Sequence, residues 1–473
     1  MKLYDLIECN ESLKKLEISG VTCDSRKVEP GFAFVCIVGS LSDGHNYAQS
    51  ALEKGAAVII AERDLGIKNQ IVVENSHAVF ARMSANWFGN PAKNLKLIGV
   101  TGTNGKTSVT YMLKNILESA GHKVGLVGTI QNMIGEELIP SSNTTPNAYE
   151  LNSLFSLMNE KGCDYVIMEV SSHALDQCRV HELEFEVAMF TNLTQDHLDY
   201  HITMDNYFEA KKKLFTMCKT AVVNSDDEYA TRLMDGIDCK IITYSTGNDA
   251  SFSAKAINYR PERVEYELVS DEILQHIKVN TSGKFTVYNS LCAICCAVEL
   301  GFDVNKVAES LDKLKGVKGR AEVVPTGKDF TVIIDYAHTP DGLKNILSTF
   351  NECKKNRIIA MFGCGGDRDK TKRSMMGSIA TRYADFVIIT SDNPRSEEPM
   401  RIIDDILEGI KGTPTPYKVI ENRIEAIKYA ISIAKEGDII VLAGQGHETY
   451  QILADGKIHL DEREIVAQAL KEI

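Results

Sequence analysis

The residues best suited to chemistry begin at Leu97–Ser108, which reads L-I-G-V-T-G-T-N-G-K-T-S. An apolar run enters a Gly-rich turn. Gly105-Lys106-Thr107 then opens a helical pattern carried by Val109, Met112, Leu113, Ile116 and Leu117. Strand, loop and helix start in that order form a phosphate cradle. Glycines let backbone N–H groups turn inward, the helix start adds partial positive charge, and the lysine reaches the outer phosphates. The Thr107 hydroxyl suits a bound Mg²⁺. The usual signature places glycine at position 100, where Val100 stands, and Gly102 falls inside the loop instead. The stretch predicts a nucleotide triphosphatase, and the rest of the chain must say what the energy is used for.

Further candidates lie at the ends of apolar runs. Glu169 closes D-Y-V-I-M-E-V and is followed by Ser171-Ser172-His173; a strand-end carboxylate beside a phosphate loop can bind Mg²⁺ directly or through water. Asn192–His201, N-L-T-Q-D-H-L-D-Y-H, gathers two His and two Asp after another run. It contains no N-K-x-D element of the kind that reads guanine. Asp335 and His338 end a further strand. Arg320 could meet nucleotide phosphates, and Asn289 a nucleotide base. Arg395 in Asp392-Asn393-Pro394-Arg395 is a candidate carboxylate clamp, because a guanidinium grips two oxygens at once. Arg368, in G-C-G-G-D-R-D, is a second. By composition, Lys211-Lys212-Lys213 reads as the solvated face of a helix, Met204–Phe215.

A length of 473 residues suggests about three domains. A chain 44% hydrophobic and 25% charged has the makings of sizeable cores. The net charge of -13 argues against nucleic acid or an anionic membrane as partner. The N-terminus shows no signal-peptide pattern and no run approaches a membrane span, so a cytoplasmic protein is expected. The 12 cysteines lack paired spacing; Cys292, Cys295 and Cys296 read as small buried hydrophobes on a helix.

Residues 1–92 read as a small α/β domain, with strands Phe32–Val38 and Ala56–Ala61 and helices His45–Lys54 and Ala78–Phe88. Gly89-Asn90-Pro91 is a stop and linker. Residues 93–319 carry the phosphate loop on a parallel sheet. Continuous apolar runs such as Asp164–Val170 and Val187–Leu193 mark buried strands, and 251–281 an antiparallel patch. Residues 320–473 alternate strand and helix as a second, Rossmann-like doubly wound sheet. Its polar motifs follow the strands, where ligands collect in such sheets. The expected class is α/β in three domains.

Together T-G-T-N-G-K-T, E-V-S-S-H-A-L, N-L-T-Q-D-H-L-D-Y-H, D-Y-A-H-T-P, G-C-G-G-D-R-D, D-N-P-R and G-H-E resemble, in this order over nearly the whole chain, the Mur ligases, ATP-dependent amide ligases of peptidoglycan synthesis. That family shares the irregular phosphate loop. The resemblance implies an N-terminal UDP-binding domain, a central ATPase domain and a C-terminal amino-acid-binding domain. It implies a cytoplasmic, monomeric enzyme adding meso-diaminopimelate to the D-glutamate side-chain carboxylate of UDP-N-acetylmuramoyl-L-alanyl-D-glutamate. ATP would contact Gly102, Thr103, Asn104, Gly105, Lys106, Thr107, Ser108, Asn289, Arg320 and Asp335. Mg²⁺ would meet Thr107, Glu169 and His197. Lys211, with Lys212 as the alternative, would be N-carboxylated by CO₂ and serve as a further metal ligand. Ser25 and Ser40 would hold the uridine end of the muramoyl dipeptide, and Thr144, Thr145, Ser171, Gln177 and Arg179 the rest. Arg368, Asp392, Asn393, Pro394, Arg395, Gly444 and Glu448 would form the diaminopimelate pocket. Lys106, Lys211, His197 and Glu169 are the catalytic set. For the proton of the incoming amine, His201 and His338 both stand as candidates.

Overall fold

The structure, a computed structural model, describes residues 1–39, 42–141, 143–260 and 262–473. Ser40, expected at the uridine end, lies outside the described residues.

Three sheets organise the described chain. The first has four parallel strands, Gly20–Thr22, Phe32–Val35, Val58–Ala61 and Gln70–Val72, in sequence order. The strand expected to run to Val38 ends at Val35. The helix expected from His45 is a 3₁₀ turn, Gly44–Tyr47, followed by Ala48–Glu53. Asp43 explains the turn: its carboxylate accepts from the His45 backbone N–H at 2.9 Å, as a capping residue does.

The second sheet has eleven strands. At its centre the phosphate-loop strand, Lys96–Thr101, lies parallel between Tyr165–Glu169 and Phe185–Phe190. These are the continuous apolar runs, and continuous burial is their reason: helices cover both faces. Lys106–Ser119 and Lys284–Glu299 pack on one face, where Cys292, Cys295 and Cys296 are fully buried in the core. The 251–281 patch is antiparallel, with strands Phe252–Arg260, Arg263–Val269 and Leu274–Val279. A hairpin, Asn132–Ile134 with Glu137–Ile139, was not legible in the sequence, because strands of three residues carry too little alternation to register.

The third sheet has six strands, ordered Glu322–Val324, Thr331–Asp335, Ile439–Ala443, Ile358–Phe362, Phe386–Ile389 and Tyr417–Val419. All but the first pair in parallel. Ile439–Ala443, late in the chain, inserts between two early strands. The loops after Asp335, Phe362, Ile389 and Ala443 therefore gather at one sheet edge. A two-stranded ribbon, Tyr450–Leu453 with Gly456–His459, also not foreseen, leans on them: Ile452 N–H donates to Asn393 Oδ1 at 2.7 Å.

Candidate active site

The phosphate loop depends on two backbone positions. Gly105 has φ +89°, and a Cβ there would stand 2.4 Å from Asn289 Oδ1; Gly102 is crowded in the same way by Thr191. Only glycine permits both the positive φ and the close approach. Lys106 folds back over the loop, its Nζ donating to Gly102 O at 2.8 Å and Thr103 O at 3.0 Å.

Below the loop lies a buried oxygen cluster. Glu169 is 1% exposed and accepts from Thr107 Oγ1 at 3.0 and 3.1 Å, from Thr129 N–H at 3.0 Å and from Thr129 Oγ1 at 2.9 Å. Arg320 Nη2 donates to Thr107 Oγ1 at 3.1 Å, bringing the start of the third sheet onto the phosphate loop. Thr129 is a site residue that sequence reasoning missed; its only mark was a Gly-Thr pair after a short strand.

Lys211 corrects the compositional reading. It is 2% exposed, its Nζ donates to Gly102 O at 2.9 Å, and it stands over the Tyr207 ring at 4.5 Å. Helix Met204–Lys212 gives way to a 3₁₀ turn, Lys213–Thr216; successive side chains of a helix stand about 100° apart, so the three lysines do not share one face. Burial and the neighbouring Lys106 drive the Lys211 amine well below its ordinary pKa. Burial likewise lowers that of Lys106.

His197 stands at the start of helix Leu198–His201 with φ 52°. Burial holds its imidazole down at about 4, against the pull of Asp196. His173 meets His197 edge to face at 4.9 Å and is itself packed against the rings of Tyr200 and His201. His201 is buried, its Nε2 pairing with Ser172 Oγ at 2.9 Å, and its pKa is also lowered to about 4 by burial.

Two clefts flank this centre. The larger, about 670 Å³, has Thr144, Thr145, Ser171 and Arg179 on one wall and Arg368, Asp392, Asn393, Arg395, Gly444 and Glu448 on the other. Arg179 Nη1 donates to Thr145 O at 2.7 Å, and its Nη2 reaches Gln177 Oε1 at 2.7 Å. Pro394 is buried beneath its loop. Arg395 has φ 54°, and its Nη1 donates to Gly366 O at 2.8 Å. Asn393 Nδ2 donates to Glu448 Oε2 at 2.9 Å, and burial raises the Glu448 pKa. Gly444 has φ +117°, with a Cβ position only 2.3 Å from Asp392 Oδ2. Lys372, His447 and Tyr450 also line this cleft, unforeseen as single residues. Burial, with the charges of Arg320 and Arg463, holds His447 down at about 3.

The smaller cleft, about 460 Å³, is lined by Asn104, Gly105, Ser108, Asn289, Arg320 and Asp335 among others. The Asp335 carboxylate is already engaged, accepting from the N–H groups of Ala321 and Ala337 at 2.6 and 2.8 Å. Tyr336, His338, Thr339 and Asp341 line both clefts and form a shared wall. Ser25 lies apart in the first sheet's region, where Lys54 Nζ donates to its carbonyl at 2.8 Å.

Among the described residues, no three His, Cys, Asp or Glu side chains stand close enough to hold a metal by themselves. The Thr107 hydroxyl and Glu169 carboxylate do supply the hard oxygen donors that Mg²⁺ takes, with water and phosphate filling its remaining positions.

Comparison with known proteins matches residues 17–93 to the Mur ligase family, catalytic domain, residues 100–297 to the Mur ligase middle domain, and residues 319–446 to the Mur ligase, glutamate ligase domain. The chain is 49% identical to a UDP-N-acetylmuramoyl-L-alanyl-D-glutamate--2,6-diaminopimelate ligase of Caldanaerobacter subterraneus subsp. tengcongensis, over 100% of this chain and 99% of that protein. It is 47% identical to the enzyme named UDP-N-acetylmuramoyl-L-alanyl-D-glutamate--2,6-diaminopimelate ligase 1 of Clostridium acetobutylicum, over 99% and 98%. A solved structure of a ligase of the same name superposes with a TM-score of 0.72 at 33% identity, covering 98% of this chain and 97% of that one.

Proposed function

The chain belongs to the Mur ligase family, and from that premise we propose that it adds meso-diaminopimelate to UDP-N-acetylmuramoyl-L-alanyl-D-glutamate at the expense of ATP. One observation carries the reading: a single cleft with Arg179 and the Thr144–Thr145 pair on one wall and Arg395, Asn393 and Glu448 on the other, sharing the Tyr336–Asp341 wall with a second cleft beside the phosphate loop. An acyl acceptor and an amino acid can meet in the first while a nucleotide occupies the second. We divide the chain at 1–92, 93–319 and 320–473 for uridine, ATP and amino-acid binding, and read it as a cytoplasmic monomer.

In this mechanism the D-glutamate side-chain carboxylate attacks the γ-phosphate of ATP, giving an acyl phosphate and ADP. The amine of the amino acid then attacks the acyl carbon, and the tetrahedral intermediate expels phosphate. Gly102–Ser108 amides and Lys106 hold the phosphates and offset the charge that develops on them. Arg179, Thr144, Thr145, Ser171 and Gln177 orient the acceptor, and Ser25 serves the uridine end. Asn289, Arg320 and Asp335 serve the nucleotide. Thr107, Glu169 and His197 would hold Mg²⁺, the last as the neutral imidazole its low pKa favours; bound there, the ion supplies electrostatic stabilisation of phosphoryl charge. Lys211 fits N-carboxylation. A buried amine held neutral is nucleophilic towards CO₂: the N–C bond forms, a proton leaves, and the carbamate is an anionic oxygen ligand. His338, on the shared wall, is placed better than the buried His201 to take the amine's proton.

Arg395 sets the choice of amino acid by clamping the distal carboxylate of diaminopimelate, which lysine lacks; Glu448 meets the distal ammonium. The test is ADP release with UDP-muramoyl dipeptide and either amino acid. We expect turnover with diaminopimelate and at most a few per cent with lysine, since a stranded buried charge discriminates by about 10⁴ in favourable sites. Equal use of lysine would remove the role given to Arg395, and absence of amino-acid-dependent turnover would remove the ligase reading.

A further inference from the structure

Arg423 is among the largest fully buried side chains of the protein, and it sits directly behind the amino-acid end of the larger cleft. It is the first residue of helix Arg423–Ser432, and its partner Glu462 is the first of helix Glu462–Ala469. Both side chains are 0% exposed. Nε and Nη2 of Arg423 donate to Glu462 Oε1 at 3.0 and 2.8 Å. The same guanidinium donates to Ala443 O at 2.9 Å and Ser391 O at 3.3 Å. Those carbonyls immediately precede Gly444 and Asp392. One planar group thus ties together the ends of two strands whose next residues line the cleft.

The charges sharpen the point. Asp392 Oδ2 is 4.0 Å from Arg423 Nη1 and has no hydrogen-bond partner among the described residues. Asp392 is 7% exposed, and Asn393 N–H donates to its other oxygen at 2.6 Å. Because Glu462 takes the direct bonds, Arg423 offsets the charge of Asp392 without occupying its free oxygen. That oxygen is itself buried, packed between Gly444, where a Cβ would stand 2.3 Å from it, and the Arg423 guanidinium, so the seating of both cleft residues depends on one group.

We infer that Arg423, held by Glu462, is a positioning residue that fixes Asp392 and Gly444 for the ammonium-bearing amino acid. This rests on the amino-acid assignment of the cleft proposed above. The geometry favours it over a purely stabilising role, because stability alone does not require a buried ion pair: well-packed apolar replacements are often as stable. That difference supplies the test. The double variant Arg423→Met/Glu462→Met removes both charges at similar volume, while Arg423→Lys keeps the charge but loses the planar fork.

Steady-state kinetics would be measured for all three substrates in wild type and both variants, with melting temperature as the check of folding. The KM for the amino acid is expected to rise about tenfold or more, the scale on which stranded buried carbonyls and a shifted carboxylate act. The KM values for ATP and the muramoyl substrate stay within about twofold, as expected for interactions these variants leave intact. If the double variant does not fold, Arg423→Lys carries the same expectation. An unchanged amino-acid KM in a folded variant overturns the inference, and so does an equal rise in all three KM values. Wild type in the same assay separates the two levels: if it shows no amino-acid-dependent turnover, the functional reading fails and the role of Arg423 falls with it, whereas an active wild type with an unchanged KM in the variants overturns the role of Arg423 alone.

Discussion

Lys211 and Lys106 both donate to one carbonyl oxygen, Gly102 O, at 2.9 and 2.8 Å. Two ammonium groups meeting at one acceptor are close enough for direct repulsion. At roughly 5 Å and an effective dielectric near 20, two unit charges repel by about 3 kcal/mol. Converting Lys211 to a carbamate reverses the sign, so the same geometry then contributes attraction of similar size. Lys106 therefore favours the carbamate twice over, by keeping the Lys211 amine neutral and by pairing with the product. Lys106→Met should cut carbamate occupancy about tenfold or more, since each 1.4 kcal/mol is a factor of ten. The assay is ¹³C NMR of the enzyme equilibrated with ¹³C-bicarbonate at neutral pH. We expect a carbamate resonance in wild type, strong loss in Lys106→Met and complete loss in Lys211→Ala. Lys211→Ala should also lose most activity, without recovery on adding bicarbonate. A resonance that persists in Lys211→Ala, or is undiminished in Lys106→Met, refutes the reasoning. An unmodified Lys211 in active, metal-loaded enzyme does the same.

Ile202 follows the His-rich loop with φ 70° and ψ −47°, and Thr203 N–H donates to His201 O at 2.8 Å. This is a strained γ-turn, rare for any residue and rarer for a β-branched one. The residue is 77% exposed, so Ile202→Gly gives up little burial; relief of strain less the entropy of glycine should stabilise by about 1 kcal/mol, read by chemical denaturation. Gly105→Ala should abolish nucleotide binding, measured by calorimetry with ADP, because the new Cβ meets both a positive φ and Asn289. Acid should destabilise the protein between pH 6.5 and 4. His197 and His201 titrate near 4 when folded but near 6.5 unfolded, so the unfolded state binds more protons in that window and stability falls as pH falls. His201→Gln should flatten the melting temperature against pH there, and an unchanged slope would count against the burial argument.

The legible part of this protein was local. Continuous apolar runs marked the buried parallel strands, such as Tyr165–Glu169 and Ile439–Ala443, because a strand covered on both faces needs no alternation. Gly-rich turns at strand ends marked the phosphate loop and the G-C-G-G-D-R-D loop, and an arginine after a strand marked D-N-P-R, because backbone geometry and ligand approach are encoded in adjacent residues. What the tertiary structure alone decided was non-local. Lys211 belongs to a charge run that composition assigns to solvent, and only the packing of its helix against the phosphate loop buries it. Thr129 and Arg320 reach Glu169 and Thr107 from distant parts of the chain. Arg423 acquires its position because Ile439–Ala443 inserts between Thr331–Asp335 and Ile358–Phe362, bringing Ser391 and Ala443 within reach of one guanidinium. Strand order and the burial of charge depend on contacts far apart in sequence, and no periodicity within a single segment records them.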